Sequence, residues 1–359
     1  MRQKTVQSAI TADATTGEQL PFVSVVMPIR NEAGFIACAL ESLFSQDYPA
    51  DRVEIIVADG MSNDGTRQIV TEIAHVHPQV RMIDNPGRIV PTGLNAGIAQ
   101  AKGEIVIRLD GHAEIAPDFI RQNIALFAEH PEAWVVGGPI VHSGRNRFAR
   151  AAAAAMSSRF GVGMAYHRFA DYEGYAEEAA FPAVRGWVFD RIGNFDEALV
   201  RNQDDEFCFR VNQAGGKVFI SPRVRYAYFV RDTPRKLFRQ YFQYSFWRIP
   251  MIRKHKRPTT GRQVVPSLFF LTMFVLLMVG LWLEQPLVAF TLPFVYLAAL
   301  LLIGLSVAPR TGLVVASLVP LALVIMHFSY ALGLSWGFVA AIVYPRAWDP
   351  GGSMSALSR

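Results

Sequence analysis

The chain has 359 residues, of which 51% are hydrophobic and only 18% are charged, against about 25% charged residues in an average soluble domain. This composition excludes a disordered chain and disfavours a wholly soluble enzyme, and the count of two cysteines excludes a disulfide scaffold and a cysteine-rich zinc site. The charge is strongly partitioned, since residues 1–222 hold 20 Lys and Arg against 27 Asp and Glu, whereas residues 223–262 hold 12 against one.

The first part of the chain alternates short apolar runs with stretches of helical periodicity. Residues 1–20 are polar and lack the apolar core of a signal peptide, so they are expected to be poorly ordered and to leave the next domain in the cytosol. The predicted strands are 22–27, 53–58, 81–83 and 104–109, and the predicted helices are 32–44, 66–74 and 91–101. This alternation predicts a parallel sheet wrapped by helices. Ligands bind beyond the carboxyl ends of such strands, which here are Pro28–Glu32, Asp59-Gly60 and Asp110–His112.

The next stretch of sequence is less regular. Residues 134–141 form another predicted strand, and further strands are expected near 181–189 and 217–220. Between them, residues 148–180 are rich in alanine and then contain several glycines and tyrosines. We expect this segment to be a mobile connector that closes over a bound acceptor.

The C-terminal part holds three apolar stretches, 264–283, 287–308 and 312–331, each close to the roughly 20 residues that cross a bilayer. A buried helical bundle is the alternative, and residues 332–345 either extend the third span, lie at the interface or cross back. The basic block 223–262 precedes these stretches and mixes aromatic with basic residues, which is typical of a helix in the lipid headgroup layer on the cytoplasmic side. No nucleic-acid-binding motif accompanies the block.

Polar residues follow three of the predicted strands. Asn31 and Glu32 lie where a strand gives way to a helix and are suited to bind a base or ribose, although Asn31 is equally suited to cap the helix. Asp59 can accept a hydrogen bond from a pyrimidine or a sugar hydroxyl. Asp110 and His112 are placed to face one divalent cation, but such a triplet also forms ordinary turns.

A run of three acids, Asp204, Asp205 and Glu206, comes later in the chain, and Arg210 lies one helical turn beyond the last of them. Acids at a helix start are usually solvated. Here an apolar helical stripe follows them, and a carboxylate held at this helix end could act as a general base.

In combination these motifs resemble glycosyltransferase family 2 over residues 22–225. The matching patterns are P-x-R-N-E, I-V-A-D-G-x-S-x-D-G-T, L-N-x-G-I-x-x-A-x-G-E-x-x-x-x-L-D-G-H, G-x-F-D-E and Q-D-D-E-F-x-F-R. The apolar tail resembles the polyprenol-linked exopolysaccharide branch of that family, in particular the succinoglycan-type glucosyltransferases.

The resemblance implies an α/β domain of the GT-A type, Rossmann-like, at residues 21–225. Basic aromatic interfacial helices at 226–262, about three transmembrane helices at 263–345 and a tail at 346–359 follow it. It also implies a UDP-sugar donor and an inverting reaction. The donor-binding positions that it assigns are Pro28, Arg30, Glu32, Asp59, Gly60, Asn95 and Asp110.

For the reaction, the resemblance places Asp204 at the base position, with Asp205 as the alternative if the alignment is shifted by one. Gln203 stands where the family usually has Glu. A divalent metal, Mn²⁺ or Mg²⁺, is expected at Asp110 and His112, where His112 replaces the family's second acid. The acceptor side is assigned to Asp196 and Glu197. Gln243, Trp247 and Arg248 of the basic block are expected to meet a lipid diphosphate, and a simple membrane anchor is an equal alternative for them.

The expected partners are a UDP-sugar, a saccharide linked to polyprenyl diphosphate, and membrane lipids, and no nucleic acid. The expected location is the bacterial inner membrane, with several spans and a cytoplasmic catalytic domain. Two other functions fit the same residues. One is a polyprenyl-phosphate sugar synthase, and the other is a catalytically inactive membrane sensor, against which the intact Asp59, Asp110 and Asp204 argue.

Overall fold

A computed structural model of the protein describes residues 20–258, 260–344 and 348. Among these residues the chain forms two compact units. The first comprises residues 20–141 and 166–228, and the second comprises residues 142–165 and the described residues from 229 onward. Apart from Leu20 and Trp348, the predicted tails 1–20 and 346–359 lie outside the described residues.

The elements alternate as expected in the first half of the chain. The strands are β1 (Val23–Ile29), β2 (Val53–Asp59), β3 (Val80–Asp84), β4 (Ile105–Arg108), β5 (Glu114–Ile115), β6 (Ala133–Gly138), β7 (His142–Ser143), β8 (Gly174–Ala176), β9 (Ala180–Arg185), β10 (Lys217–Ile220) and β11 (Tyr226–Phe229). The helices are α1 (Ile36–Phe44), α2 (Thr66–Val76), α3 (Val90–Ile98), α4 (Phe119–Glu129), α5 (Arg147–Met156), α6 (Arg159–Val162), α7 (Trp187–Ile192), α8 (Gln203–Gln213), α9 (Pro234–Phe246), α10 (Arg248–His255), α11 (Val265–Trp282), α12 (Pro286–Thr311), α13 (Leu313–Ala316) and α14 (Val319–Val343). Short 3-10 helices are Ala50–Arg52, Tyr166–Arg168 and Gly261–Gln263.

The main sheet of the first unit has the strand order β3-β2-β1-β4-β9-β6-β10-β8. As predicted, β3, β2, β1 and β4 are parallel neighbours. The later strands make the sheet mixed, since β9 runs antiparallel to β4 and β6, and β8 runs antiparallel to β10. The chain leaves β6 and enters β9 at the same edge of the sheet, and a connection that stays at one edge gives antiparallel pairing.

Helices cover both faces of the central strands. All residues of β1 and β2 are buried, as expected for parallel strands enclosed on both sides. Ile36, Leu40 and Phe119 belong to the core on one face, and Leu94 and Phe207 to the core on the other. Helix α3 approaches β1 so closely that a Cβ on Gly97 would lie 2.3 Å from Val26 Cγ1.

Within the described part of the second unit, three helical segments are long and apolar enough to cross a membrane, Gly261–Trp282, Pro286–Thr311 and Leu313–Val343. They coincide with the three predicted stretches, and α14 continues as one helix to Val343, so the residues left open by the sequence extend the third segment. Large apolar side chains on these helices stay uncovered, among them Trp282 and Leu302. Lipid, unlike water, would solvate such a surface.

Residues 142–165 pack within the second unit, which differs from the continuous 21–225 domain and the mobile connector expected from the sequence. Helix α5 buries an alanine-rich face. His327 of α14 connects this segment to the apolar helices, since its Nε2 lies 2.8 Å from the Phe160 carbonyl oxygen and its Nδ1 lies 3.0 Å from Tyr296 Oη. Small alanine side chains allow helices to pack closely. The hydrophobic periodicity of the sequence did not predict that residues 142–165 pack in this way.

Helices α9 and α10 pack directly on α14 at two glycines. A Cβ on Gly333 would lie 2.3 Å from the Phe242 carbonyl oxygen, and a Cβ on Gly337 would lie 2.6 Å from Ile249 Cγ1. The basic aromatic helix is therefore packed against an apolar helix of its own unit.

Candidate active site

Two loops after β1 and β2 are joined by hydrogen bonds at the carboxyl edge of the sheet. The Asn31 backbone N–H donates to Ser62 Oγ at 2.8 Å, and the Asn63 N–H donates to Asn31 Oδ1 at 3.0 Å. The Glu32 N–H donates to Thr66 Oγ1 at 2.8 Å. Asn31 has a positive φ of 56° and precedes α1 by several residues, so it fixes the loop and does not cap the helix.

Asp59, the last residue of β2, is fully buried. Its Oδ2 accepts hydrogen bonds from the Ser62 N–H at 3.0 Å and from Arg67 Nη1 at 2.6 Å, and Arg67 also binds Asp84 at 2.8 Å. Among the described residues, Oδ1 of Asp59 has no hydrogen-bond partner. A buried acceptor without a donor is costly, and the N–H of a base or a ribose hydroxyl would satisfy it.

The other predicted donor-side residues of these loops differ in accessibility. Pro28 is buried inside β1, where a Cβ on Gly93 would lie 3.2 Å from Pro28 Cβ. The Gly60 N–H donates to the Ile29 carbonyl oxygen at 2.7 Å, and a Cβ on Gly60 would lie 3.2 Å from Arg30 Cβ. Arg30 itself is exposed. Pro28 and Gly60 therefore shape the loop, and Arg30 is accessible to an anionic ligand.

The turn after β4 meets the loop after β1. His112 Nδ1 lies 3.0 Å from Glu32 Oε1. A Cβ on Gly111 would lie 2.7 Å from Ile29 Cγ2 and 3.2 Å from Glu32 Cγ, so a larger residue at this position would separate the two segments. When the Nδ1–H of His112 donates to the Glu32 carboxylate, the lone pair of the imidazole ring lies on Nε2.

Arg108 joins the two acids that the sequence assigned to different tasks. Its Nη2 lies 3.0 Å from Asp110 Oδ1, and its Nη1 lies 2.9 Å from Asp204 Oδ2. The side chain is 11% exposed. Burial alone would lower the pKa of the guanidinium, but the charges of Asp110 and Asp204 raise this pKa above its ordinary value, so the group stays protonated. Arg108 was not predicted from the sequence as a site residue, although a lone charge in the apolar strand I-V-I-R-L was a usable signal.

The three acids at the start of α8 have different environments. Asp204 is 33% exposed, and its Oδ1 accepts the Asp205 N–H at 3.1 Å. Asp205 and Glu206 are buried. Glu206 binds Arg210 Nε at 3.0 Å, and Arg210 donates in turn to the carbonyl oxygens of Ile192 and Asn194. Glu206 is therefore structural, and Asp204 is the acid that reaches Arg108.

Asn95 of α3 holds the segment predicted to face the acceptor. Its Nδ2 donates to Glu197 Oε1 at 2.8 Å and to the Phe195 carbonyl oxygen at 2.9 Å, and its Oδ1 accepts the Phe195 N–H at 3.0 Å. Asp196 Oδ1 accepts the Ala198 N–H at 2.9 Å. Asn95, which the sequence assigned to the donor side, is thus bound to the acceptor-side loop.

Gln243, Trp247 and Arg248 belong to the second unit, at the end of α9 and the start of α10. Gln243 and Trp247 are buried, whereas Arg248 is half-buried. Among the described residues, Trp247 Nε1 has no hydrogen-bond partner. The structure therefore groups these three residues with each other, and the remaining predicted site residues lie in the first unit.

The end of β4 carries the two side chains that the sequence assigned to a divalent cation, Asp110 and His112. Among the described residues, no group of three or more His, Cys, Asp or Glu side chains converges as a complete metal site. Asp110 and His112 would supply one oxygen and one nitrogen, a set that suits Mn²⁺ better than Mg²⁺. Contact of the other imidazole nitrogen with Glu32 is the usual support of a metal-binding histidine.

Known proteins resemble this chain in both sequence and fold. The sequence profile of glycosyl transferase family 2 matches residues 24–181. Succinoglycan biosynthesis protein ExoA of Rhizobium meliloti (strain 1021) is 31% identical over 245 residues, which cover 67% of this chain and 73% of that protein. A Methanococcus voltae protein is 28% identical over 333 residues, or 89% of this chain and 97% of its own. That protein is named dolichyl N-acetyl-alpha-D-glucosaminyl phosphate 3-beta-D-2,3-diacetamido-2,3-dideoxy-beta-D-glucuronosyltransferase.

Among solved structures, a mannosyltransferase from Pyrobaculum calidifontis, PcManGT in complex with GDP-Man and Mn²⁺, superimposes with a TM-score of 0.55 at 18% identity, covering 96% of this chain and 94% of that one. At this identity the likeness concerns the fold. It agrees with the GT-A-like α/β domain expected from the sequence.

Proposed function

Because this chain belongs to glycosyl transferase family 2, we propose that it moves a hexose from a UDP-sugar to a saccharide carried by polyprenyl diphosphate, with inversion at the anomeric carbon. The product would enter exopolysaccharide biosynthesis. The observation that carries the proposal is the contact of Asp110 and Asp204 with the same buried guanidinium of Arg108, because it brings a donor-side acid and a candidate base to one point.

The donor would bind along the carboxyl edge of β1, β2 and β4. Asp59 Oδ1 is a buried oxygen that accepts no hydrogen bond from the described residues. Exposed Arg30 is available to an anionic group. A nucleotide diphosphate presents both partners, since its base and ribose donate hydrogen bonds and its phosphates carry negative charge. The geometry therefore favours a nucleotide-sugar over a neutral sugar as the donor.

Asp204 would act as the general base. Its carboxylate is partly exposed and is oriented by Arg108 and by the Asp205 N–H, so it can accept a proton from an acceptor hydroxyl as the oxygen attacks the anomeric carbon. The bond to the UDP oxygen breaks in the same displacement, which requires no covalent sugar intermediate. Asp205 remains the alternative, but it is buried.

A divalent metal, Mn²⁺ or Mg²⁺, would be held by Asp110 and His112 together with the donor diphosphate. When bound, such an ion offsets the charge that develops on the departing diphosphate. Glu32 orients the His112 ring through Nδ1. Arg108 holds Asp110 from the other side and keeps its carboxylate in a fixed position.

The lipid-linked acceptor is supported by the second unit. Three segments are apolar enough to cross a membrane, and the basic block before them carries 12 Lys and Arg against one acid, a pattern that faces anionic headgroups on the cytoplasmic side. The name of the Methanococcus voltae relative also refers to a sugar on a dolichyl phosphate. We therefore infer a multi-pass protein of the bacterial inner membrane with a cytoplasmic catalytic unit. In the second unit, half-buried Arg248 is the member of the group Gln243, Trp247 and Arg248 that is accessible to a lipid headgroup.

Membranes that contain the chain should transfer label from one UDP-hexose to lipid-linked saccharide. Asp204→Asn should lower kcat by about 10²–10⁴-fold, the range typical of a lost general base, while UDP binding measured by titration stays nearly unchanged. Asp190→Asn, a change at an exposed acid of α7, is the matched control and should retain activity.

The outcome distinguishes the competing functions. Full turnover of the Asp204→Asn variant would remove Asp204 from the base role, and loss of turnover in Asp205→Asn alone would assign that role to Asp205. Label on bare polyprenyl phosphate would identify a polyprenyl-phosphate sugar synthase. Nucleotide binding without transfer from any UDP-hexose would indicate a sensor.

A further inference from the structure

A hydrogen-bonded pair of titratable side chains outside the motifs described so far lies in the first unit. His167 Nδ1 is 3.2 Å from Glu178 Oε1, and the two side chains are 6% and 17% exposed. Arg168 Nε donates to His167 Nε2 at 3.2 Å. Since Nε2 accepts this hydrogen bond, the ring proton resides on Nδ1 and is donated to Glu178. The arrangement orients a carboxylate by means of a buried imidazole.

The sheet register places the His167–Glu178 pair at the edge of the sheet that carries the candidate active site. Ile107 of β4 pairs with Ala183 of β9 in antiparallel fashion, so β9 begins at the edge of the sheet at which β4 ends. On its other side, Ala180 pairs with Gly138 at the carboxyl end of β6. Glu178 precedes β9 by two residues, and it therefore lies at the carboxyl edge, next to the end of β4.

Contacts with α8 give the same location independently. The backbone of Ala179, the neighbour of Glu178, forms a hydrogen bond with the Cys208 sulfur. Cys208 lies four residues after Asp204, which is one helical turn. Ala179 and Cys208 also belong to the same buried cluster, so the segment that carries Glu178 packs against α8.

We propose that Glu178 binds a hydroxyl of the saccharide acceptor and that His167 is the residue that positions it. This proposal rests on the proposed function, because it names the contact that holds the acceptor beside Asp204. Glu178 is partly exposed, and a carboxylate accepts hydrogen bonds from sugar hydroxyls. If one sugar of the saccharide binds Glu178 through one hydroxyl and the candidate base through another, these two hydrogen bonds determine which hydroxyl attacks.

The test compares two adjacent glutamates. Glu178→Gln should raise the KM for the lipid-linked saccharide by about tenfold or more, because a hydrogen bond to a charged acceptor is replaced by a neutral one. The KM for the UDP-sugar and the slow hydrolysis of that donor by water should remain within about twofold. Glu177→Gln, at the exposed neighbouring acid, should behave like the wild type in all three measurements.

The positioning role has its own test. His167→Leu removes the donor to Glu178 and should reproduce the higher acceptor KM, whereas His167→Asn keeps a nitrogen donor at the equivalent position and should restore most of the affinity. A purely structural histidine would change the KM of donor and acceptor alike. If Glu178→Gln does not fold, Glu178→Asp, which retracts the carboxylate by one methylene, provides the same comparison.

Two results would overturn the proposal, and they are distinguishable. An acceptor KM within twofold of wild type in Glu178→Gln, while Asp204→Asn is inactive, would remove Glu178 from the acceptor site and leave the proposed function intact. Absence of any transfer to saccharide by the wild-type chain would overturn both proposals. An equal rise of the acceptor KM in Glu177→Gln would also remove the specific role of Glu178.

Discussion

At the scale of single residues, one buried guanidinium organises the candidate active site. Arg108 contacts Asp110 and Asp204, which are 94 residues apart in the chain, at 3.0 and 2.9 Å. Its planar fork can bind both carboxylates at once, whereas the single ammonium group of lysine cannot reproduce both contacts in the same geometry. The positions of Asp110 and Asp204 relative to each other therefore depend on this side chain.

We expect Arg108→Met to lower kcat by at least 10²-fold, because Asp204 loses the partner that orients it. It should also lower the free energy of unfolding by about 3–5 kcal/mol, the typical cost of breaking a buried ion pair from one side. Arg108→Lys should restore part of the stability and little of the activity. The measurements are transfer rates in membranes and thermal unfolding in detergent.

The control for this change is Arg191→Met, at an exposed arginine of α7 whose guanidinium lies 4.6 Å from the centre of the Trp134 ring. It should leave kcat nearly unchanged and should lower the free energy of unfolding by about 1 kcal/mol or less. Wild-type kcat in Arg108→Met would contradict the positioning role of Arg108.

The sequence was informative about single residues where local patterns determine position. Strand-end reasoning located Asp59 and Asp110 at the same edge of the sheet, and the resemblance supplied Asp204. Arg67, Arg108 and the His167–Glu178 pair were not found, because their partners depend on contacts between distant segments or on an irregular loop. Hydrophobic periodicity carries no information about such contacts.

At the scale of elements, a single glutamate connects strands at the end of the sheet opposite the candidate active site. Glu54 of β2 accepts hydrogen bonds from Ser24 Oγ and the Lys102 N–H, both at 2.6 Å, and lies 3.3 Å from Arg81 Nη2. Burial alone would raise the pKa of Glu54, but the hydrogen bonds and the Arg81 charge outweigh it and lower the pKa below the ordinary value of 4.5. Glu54 thus joins β1, β3 and the segment before β4.

Glu54→Gln should destabilise the protein by about 1–3 kcal/mol at pH 7, because a buried charge-assisted network is lost. Since the folded-state pKa of Glu54 is below its unfolded value, its stabilisation is fully present above the unfolded pKa and disappears as the pH falls through the folded one. The difference in unfolding temperature between variant and wild type should therefore shrink below about pH 4.5.

Thermal unfolding at pH 7 and at pH 4 measures this difference. Glu41→Gln, at an exposed glutamate of α1, serves as the control and should show little difference at either pH. A constant gap between Glu54→Gln and wild type across this range would contradict the role of the Glu54 charge.

Element boundaries followed the sequence closely in the alternating region and failed where connections are irregular. Strands β1 to β4 start within one residue of their predicted positions. The expected strand near 181–189 ends at Arg185, and α7 starts at Trp187. Both segments are apolar, so their composition could not distinguish a short buried strand from a short buried helix.

At the scale of the whole molecule, the second unit exposes many large apolar side chains, a feature expected of helices that contact lipid and not of helices that contact water. Leu302 on α12 is 66% exposed. In water, an arginine at such an exposed site would be harmless, but in the hydrocarbon core it costs about 2.5–3.5 kcal/mol. Leu302→Arg should therefore reduce the amount of protein that remains in membranes after alkaline carbonate extraction.

Val76→Arg is the matched control, because Val76 of α2 is 74% exposed in the first unit and its replacement should have no effect on membrane retention. Equal retention of Leu302→Arg and wild type would argue against burial of α12 in lipid.

Residues 142–165 belong to the second unit although they interrupt the first one in sequence, and this affects how the first unit could be isolated. The chain leaves the sheet-containing unit after residue 141 and returns to it at residue 166. Truncation after residue 228 would therefore remove the helices that bury the alanines of α5. The fragment would carry an exposed apolar segment that promotes aggregation. A water-soluble version calls for excision of this insertion as well, with a short polar linker in its place.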